Sequence, residues 1–291
     1  MKMTQADKLK ELVTSSTKKK KRTTKFLAIT SGKGGVGKST IAANLGYSLH
    51  LLGFKVGLFD ADIGLANLDV LLKVNTDKNI LHVLKGEAKI EDIIIEVEKD
   101  FYLIPGDSGD EILKYSDEFL FERFSDDMAS LDDLDFLIID TGAGIGKEVQ
   151  TFLLAADEVI VITIPEPAAI TDAYAMIKVL SEKKDKIFLL MNEVDSQKEA
   201  NNIYQKIASV AKQNIKKDNF RLQMIGYLKK DKVVQTASIK RQLFAKEYEF
   251  SQVTEQLFTI AKKIAQILER KVLVEEESGI SRFFKKILNR F

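Results

Sequence analysis

The sequence reads SGKGGVGKST from residue 31 to residue 40, directly after an apolar run at 26–30. Residues 32–39 satisfy the spacing G-x-x-x-x-G-K-S of a phosphate-binding loop. Glycines let such a loop fold tightly and point several backbone N–H groups inward, while the following helix presents its positive end to the same anion. A glycine-rich turn without a ligand is the alternative. The preceding strand pattern and the following helix pattern favour a nucleotide phosphate site.

The side chains of this loop have separate expected roles. Lys38 can reach the β- and γ-phosphate oxygens, and the hydroxyl of Ser39 can ligate Mg²⁺. Lys33 lies too early in the loop to duplicate the role of Lys38. The residues expected to bind the nucleotide phosphates are Gly32, Lys33, Gly34, Gly35, Val36, Gly37, Lys38, Ser39 and Thr40.

The composition of the 291 residues limits the class of protein. A content of 45% hydrophobic and 30% charged residues is typical of a folded chain and excludes a disordered or membrane-embedded one. The 44 Lys and Arg nearly cancel the 43 Asp and Glu, so no global field attracts nucleic acid, which is not expected as a partner. Without cysteine, iron–sulfur clusters and disulfides are excluded. No apolar leader or run of about 18 apolar residues is found, so a cytoplasmic chain is expected.

Short apolar runs alternate with segments of helical period along most of the chain. Near-continuous β-branched runs are typical of strands that helices cover on both faces, which predicts an α/β fold with a doubly wound, mostly parallel sheet. The predicted strands are Phe26–Thr30, Lys55–Phe59, Phe101–Ile104, Phe136–Ile139, Val159–Ile164, Ile187–Met191 and Met224–Leu228. Such sheets bind ligands at the carboxyl ends of their strands, which is where the motifs fall.

Carboxylates follow two of these strands. Asp60 and Asp62 come directly after the second strand, where a pair at i and i+2 can lie beside a metal ion and an attacking water. Asp140 closes the run Phe136–Ile139, an arrangement that typically holds Mg²⁺ in nucleotide hydrolases. The expected metal-binding residues are therefore Ser39, Asp60 and Asp140. Two strand-end caps exposed to water are the alternative for Asp60 and Asp62.

The stretch KGGVGKST resembles the deviant phosphate loop of the MinD/ParA class of ATPases. The resemblance implies ATP and Mg²⁺ as cofactors and a dimer formed with ATP, in which Lys33 crosses the interface to the partner's nucleotide. It also implies that Asp62 orients the attacking water, that Asp60 helps to organise the site, and that Asn192 lies beside the adenine. The expected catalytic residues are Asp62, Lys33 and Lys38.

Two further segments are similar in position to those of the class, and the sequence assigns neither a single role. Glu166 and Asp172 fit an interface contact and ordinary helix-start electrostatics equally well. Residues 225–231 fall where relatives often carry a proline, which is absent here, so no adenine contact is assigned to them.

Three segments are predicted from composition: an N-terminal helix and basic linker at 1–25, an ATPase domain at 26–271, and a linker with an amphipathic helix at 272–291. The last helix has a basic polar face and an apolar stripe, which is typical of helices that lie in an anionic membrane surface. Packing of this helix on its own domain is the alternative. The stripe consists of Ile280, Phe283, Phe284, Ile287, Leu288 and Phe291.

Within the class, the chain most resembles the FlhG (FleN, YlxH) family of flagellar number and placement regulators. The resemblance rests on the stretch DTGAGI at 140–145 and on an N-terminal arm similar to the D-Q-A-x-x-L-R activation helix, with Thr4 and Lys10 departing from it. It implies stimulation of an FlhF-type signal-recognition GTPase through Gln5, and contacts with flagellar switch (C-ring) proteins and a flagellar transcription regulator. It also implies peripheral binding to the inner face of the cell membrane.

Three other functions stay open at this point. They are a MinD-type ATPase that places the division site, a ParA-type DNA-associated positioning ATPase that uses the basic run at 18–22, and a membrane scaffold that binds ATP without useful hydrolysis.

Overall fold

The computed structural model describes residues 24–62, 66–106 and 133–269. These residues contain an eight-stranded sheet. Its strands are β1 (Lys25–Ser31), β2 (Val56–Ala61), β3 (Ile95–Glu98), β4 (Phe101–Ile104), β5 (Phe136–Ala143), β6 (Glu158–Thr163), β7 (Lys186–Val194) and β8 (Arg221–Lys229). Their order across the sheet is β3-β4-β2-β5-β1-β6-β7-β8.

The helices lie between the strands along the chain. They are α1 (Lys38–Leu51), α2 (Leu68–Leu72), α3 (Ile80–Leu84), α4 (Lys147–Ala155), α5 (Pro167–Ser181), α6 (Gln197–Asn214), α7 (Lys232–Ile239), α8 (Phe244–Glu247) and α9 (Gln252–Glu269), with a single 3₁₀ turn at Ile90–Asp92. None of the helices in the described ranges is both long and apolar enough to span a bilayer.

The predicted doubly wound α/β fold is confirmed. All neighbouring strands pair in parallel except β3, which is antiparallel to β4 at one edge of the sheet. The sequence analysis missed β3 because Ile95-Glu96-Val97-Glu98 alternates apolar and acidic residues and is only partly buried, unlike the continuous apolar runs of the inner strands.

Helices cover both faces of the sheet, so alternate residues of each inner strand belong to different cores. In β1, Phe26 and Ala28 pack into the core beneath α4, α5 and α6, whereas Leu27 and Ile29 pack into the core beneath α1 and α9. Every residue of β1 is buried. This double cover explains why β1 reads as an uninterrupted apolar run.

The central strands bring their carboxyl ends together at one edge. β1 lies between β5 and β6, and β2 lies beside β5 with Asp60 opposite Asp140 in the register. Whatever follows β1, β2 and β5 therefore meets in one place. Gln5 and the tail residues 280–291 lie outside the described residues.

Candidate functional site

The phosphate loop connects β1 to α1 and is fixed at both ends by glycines. Gly37, the N-cap of α1, has a φ of 87°, in the left-handed region where glycine is favoured. Gly32 packs against the backbone at the start of α5, where a Cβ would lie 2.2 Å from the carbonyl carbon of Asp172. Helix α5 therefore supports the loop from outside and leaves room only for glycine at 32.

Lys38 begins α1 and is the electrostatic centre of the site. Its Nζ lies 2.8 Å from Oδ1 of Asp140 and 3.0 Å from Oδ2 of Asp62, and only 7% of the side chain is exposed. Burial alone would lower the pKa of Lys38, but the two carboxylates outweigh it and the pKa is raised. The ammonium group therefore stays charged at neutral pH.

Asp140 has one oxygen available for a further ligand. Its Oδ1 accepts the bond from Lys38, while the buried Oδ2 has no hydrogen-bond partner in the parts of the chain that the structure describes. Burial raises the pKa of this carboxyl, and Lys38 opposes that shift. An unpaired buried carboxylate oxygen near the Ser39 hydroxyl is a donor set that suits Mg²⁺, which prefers oxygen ligands.

Asp60 is engaged with the backbone on both of its oxygens. Oδ2 accepts from the N–H groups of Asn67 and Leu68 at 2.8 and 2.9 Å, and Oδ1 accepts from the N–H of Asp62 at 3.3 Å. Burial raises the pKa of Asp60 to about 6, against the lowering effect of the Leu68 hydrogen bond. These contacts make Asp60 the anchor of the segment that carries Asp62.

Two cavities adjoin the phosphate loop. The larger, of about 720 Å³, lies over Lys38, Ser39 and Asp62 and extends to Gly142 and Gly146 after β5. The smaller, of about 460 Å³, lies beside Asn192 at the end of β7. Both are lined by Gly35, Gly37, Thr40 and Ser238, so together they form one elongated cleft. Its size and polar base suit a nucleoside triphosphate.

Asn192 lies at the smaller cavity and contacts the phosphate loop. Its Nδ2 donates to the carbonyl oxygen of Val36 at 2.9 Å, and a Cβ on Gly37 would lie 2.7 Å from the same nitrogen. The side chain therefore ties the phosphate loop to β7 beside the smaller cavity.

Lys33 points away from the cleft of its own chain. Its Nζ forms an ion pair with Oε2 of Glu166 at 2.9 Å, and the two side chains are 42% and 55% exposed. Lys33 lines neither cavity. Glu166 is the N-cap residue of α5, but its side chain caps no backbone N–H, so the contact with Lys33 is its main interaction there.

The structure also places residues at the cleft that the sequence analysis did not assign. Residues 228–232, at the end of β8 and the start of α7, line the smaller cavity. Ser238 and Arg241 line the larger one. No motif marks either segment in the sequence. The residues reach the cleft because β8, at the edge of the sheet, leads into α7 beside it, and not because of their residue types.

A comparison with known proteins identifies the class. Residues 22–265 match the family model described as "ParA: NUBPL iron-transfer P-loop NTPase". The chain belongs to the ParA family of P-loop NTPases. The iron transfer in that description belongs to the proteins that it describes, and this chain contains no cysteine, the usual ligand of iron–sulfur clusters.

Particular relatives are more specific. The chain is 48% identical over 269 residues to the flagellum site-determining protein YlxH of Helicobacter pylori, covering 92% of this chain and 91% of that protein. It is 33% identical over 244 residues to the antiactivator FleN of Pseudomonas aeruginosa, covering 82% of this chain and 85% of FleN. Among solved structures, the septum site-determining protein MinD with Mg-ADP from Pyrococcus horikoshii has a TM-score of 0.68 at 24% identity, covering 86% and 100% of the two chains, a likeness in fold.

Proposed function

We propose that the chain is an ATP-dependent, dimerising ATPase that regulates flagellar number or placement. The observation that carries the ATPase part is the convergence of Lys38, Asp62 and Asp140 beneath a cleft formed by a glycine-rich phosphate loop. The similarity to YlxH over 92% of the chain supports the flagellar part.

Phosphate binding would change the partners of Lys38. In the structure, its ammonium group is shared between Asp62 and Asp140. Phosphate oxygens entering the cleft offer Lys38 a stronger anion and leave Asp62 free to accept a hydrogen bond from water. Asp62 then orients that water toward the γ-phosphorus. The water oxygen bonds to phosphorus, the bond to the β–γ bridging oxygen breaks, and ADP and inorganic phosphate result.

Mg²⁺ is the expected cofactor, and the residues fit it. Ser39 and Asp140 would hold it, Asp140 through its free Oδ2. When bound, the ion neutralises charge that develops on the phosphate oxygens. The metal role of Asp60 stays a prediction, and its three backbone contacts favour the anchoring of Asp62, Asn67 and Leu68.

Two features near the cleft favour an ATP-bound dimer. Lys33 is directed outward, where it can reach a second copy. Val70, which lines the larger cavity, is 45% exposed, and Ile145 and Ile239, each next in the chain to a residue that lines it, are 47% and 77% exposed. Exposed apolar groups around a polar cleft are typical of an interaction face. We propose that this face is buried when ATP is bound.

The oligomeric state tests this dimer directly. Light scattering with Mg²⁺ and ATP should find a dimer for the natural chain, a monomer for Lys33→Ala, and a dimer for Glu166→Ala, because Glu166 only competes for Lys33 within one chain. A dimer formed by Lys33→Ala at the same ATP occupancy would contradict the assigned role of Lys33. A monomer in all three would remove the dimer from the proposal.

Membrane association is proposed from the tail at 280–291, which lies outside the described residues. Deletion of residues 280–291 should abolish ATP-dependent sedimentation with anionic vesicles, and Phe283→Asp, a control of full length, should weaken it. Sedimentation that survives the deletion would assign membrane binding to another segment.

Stimulation of an FlhF-type GTPase is proposed from the N-terminal arm. A peptide of residues 1–20 should accelerate GTP hydrolysis by that partner, and the same peptide with Gln5→Ala should not. If neither peptide has an effect, division-site placement or DNA-associated positioning becomes the better reading, and filter binding to DNA at low and high salt separates those two.

A further inference from the structure

The turn after α7 carries an arginine at the mouth of the cleft. Arg241 lines the larger cavity together with Ser238, and Asn67, Val70 and Leu71 of the segment that includes α2 line the same cavity. Ser238 also lines the smaller cavity. The turn therefore stands where the space for the base joins the space for the phosphates.

The backbone at Arg241 has a conformation that favours glycine. Its φ is 53°, in the left-handed region. The N–H of Arg241 donates to the carbonyl of Ser238 at 3.0 Å, and the N–H of Gln242 donates to that of Ala237 at 2.9 Å. This pair of bonds is the Schellman helix ending, whose left-handed position is usually occupied by glycine because a Cβ is strained there. A strained non-glycine residue is often retained at a functional site.

The side chain of Arg241 has no polar partner in the part of the chain that the structure describes. Arg241 is exposed. Within residues 24–62, 66–106 and 133–269, its guanidinium has no hydrogen bond and no ion pair. A strained backbone position therefore carries a permanently charged side chain that has no polar partner among the described residues. It lines the same cavity as Lys38 at the N-terminus of α1.

We propose that Arg241 binds the phosphate groups of the nucleotide in the cleft of its own chain. A guanidinium group offers up to five donors in a planar fork that matches phosphate oxygens, and it keeps its charge at any working pH. The inference rests on the proposed function, since it assigns a further contact to the same nucleotide. It adds a permanent cation to the cleft, from the turn after α7.

The chain contains a matched control for this position. Lys73 ends α2 with a φ of 55°, and it has the same pair of hydrogen bonds, from Lys73 N to the carbonyl of Val70 and from Val74 N to that of Asp69. Lys73 is also an exposed cation, but it lines neither cavity. Glycine at either position relieves the same backbone strain, and only glycine at 241 removes a cation from the cleft.

The experiment compares Arg241→Gly, Arg241→Lys and Lys73→Gly. Melting temperature is measured without nucleotide, and a fluorescent ATP analogue with Mg²⁺ is displaced by ATP or by adenosine, which has no phosphate. Both glycine variants should melt roughly 2–4 °C higher than the natural chain. Arg241→Gly should bind ATP about tenfold more weakly with unchanged adenosine binding, and Arg241→Lys should lie between it and the natural chain.

Each other outcome has a distinct meaning. If Arg241→Gly binds ATP as tightly as the natural chain, the inference is overturned. The proposed function still stands in that case, because the natural chain binds ATP. Arg241→Gly that melts lower than the natural chain, or that loses ATP and adenosine equally, assigns the arginine to the fold and also overturns it. A natural chain that binds no ATP refutes both statements.

Discussion

Replacement of Asp62 by alanine should change stability, ATP affinity and hydrolysis in different directions. The carboxylate lies 3.0 Å from Nζ of Lys38 and is 17% exposed. A hydrogen bond between charged groups contributes about 1.5–3 kcal/mol, less where water screens it. Because Lys38 keeps its shorter bond to Asp140, we expect the free energy of unfolding without nucleotide to fall by only about 1 kcal/mol.

The same carboxylate competes with ATP for Lys38. Asp62→Ala removes the bond to Lys38 from the nucleotide-free chain and so makes that state less stable than in the natural chain. The complex with ATP does not contain this bond, so its stability does not change for this reason. A difference of about 1 kcal/mol should therefore lower the Kd for ATP by roughly fivefold. Hydrolysis should nevertheless fall by about 100-fold or more, since the attacking water loses the group that orients it.

Three measurements check this prediction. They are urea unfolding without nucleotide, calorimetric titration with ATP and Mg²⁺, and single-turnover hydrolysis at saturating ATP. Asp69→Ala is the control, because Asp69 belongs to the same segment and its side chain, among the described residues, accepts a hydrogen bond only from the N–H of Val70. Hydrolysis by Asp62→Ala within threefold of the natural chain would refute the catalytic assignment. Weaker ATP binding would refute the competition for Lys38.

Three further substitutions test other parts of the site. Gly32→Ala should lower the free energy of unfolding in urea by at least about 1–3 kcal/mol, because its Cβ would overlap the backbone of Asp172. Gly34→Ala is the control, since nothing lies within 4 Å of the Cβ it would add. An equal loss of stability in both variants would contradict this packing. Asn192→Ala should lower stability by about 1 kcal/mol and should reduce the preference for ATP over GTP in competition binding, and an unchanged preference would argue against a contact with the base. Because the pKa of Asp60 is raised to about 6, the folded chain keeps a proton on this carboxyl that the unfolded chain loses near pH 4, so the free energy of unfolding falls as the pH rises to about 6. In urea unfolding, Asp60→Asn should remove up to about 3 kcal/mol of that fall between pH 4 and pH 7. The same dependence of unfolding free energy on pH in both chains would contradict the raised pKa.

The sequence allowed most of the fold to be predicted because burial on both faces leaves a strong signal. The inner strands β1, β5 and β6 are continuous apolar runs, and each was predicted to within a few residues of its bounds. The edge strand β3 was not predicted, since it pairs on one side only and tolerates Glu96 and Glu98. Edge strands need fewer apolar residues, so the pattern that identifies the inner strands weakens there.

The residues of the site also differ in whether a local sequence motif marks them or only the fold brings them to the cleft. The phosphate loop, Asp62 and Asp140 could be predicted because each is a motif attached to the end of a strand. The orientation of Lys33 toward Glu166 could not, because it depends on how α5 begins beside the loop. Arg241 is about two hundred residues from Lys38 in the chain, and only the folding of β8 and α7 brings its turn to the cleft.

The contacts of Lys38 and Asp60 indicate how phosphate binding would act on the described residues after β2. Asp60 holds Asp62, Asn67 and Leu68 by their backbone N–H groups and is itself out of reach of Lys38 in the described contacts. Among the described residues of the segment, Lys38 contacts the side chain of Asp62. Withdrawal of Lys38 by phosphate therefore breaks one charged hydrogen bond and leaves the anchor intact. At about 1 kcal/mol, this bond corresponds to a shift of roughly fivefold in the population of the segment's states, which is at the lower end of ordinary allosteric coupling. A switch built on these contacts would respond to the nucleotide while Asp60 still holds Asp62, the proposed catalytic carboxylate.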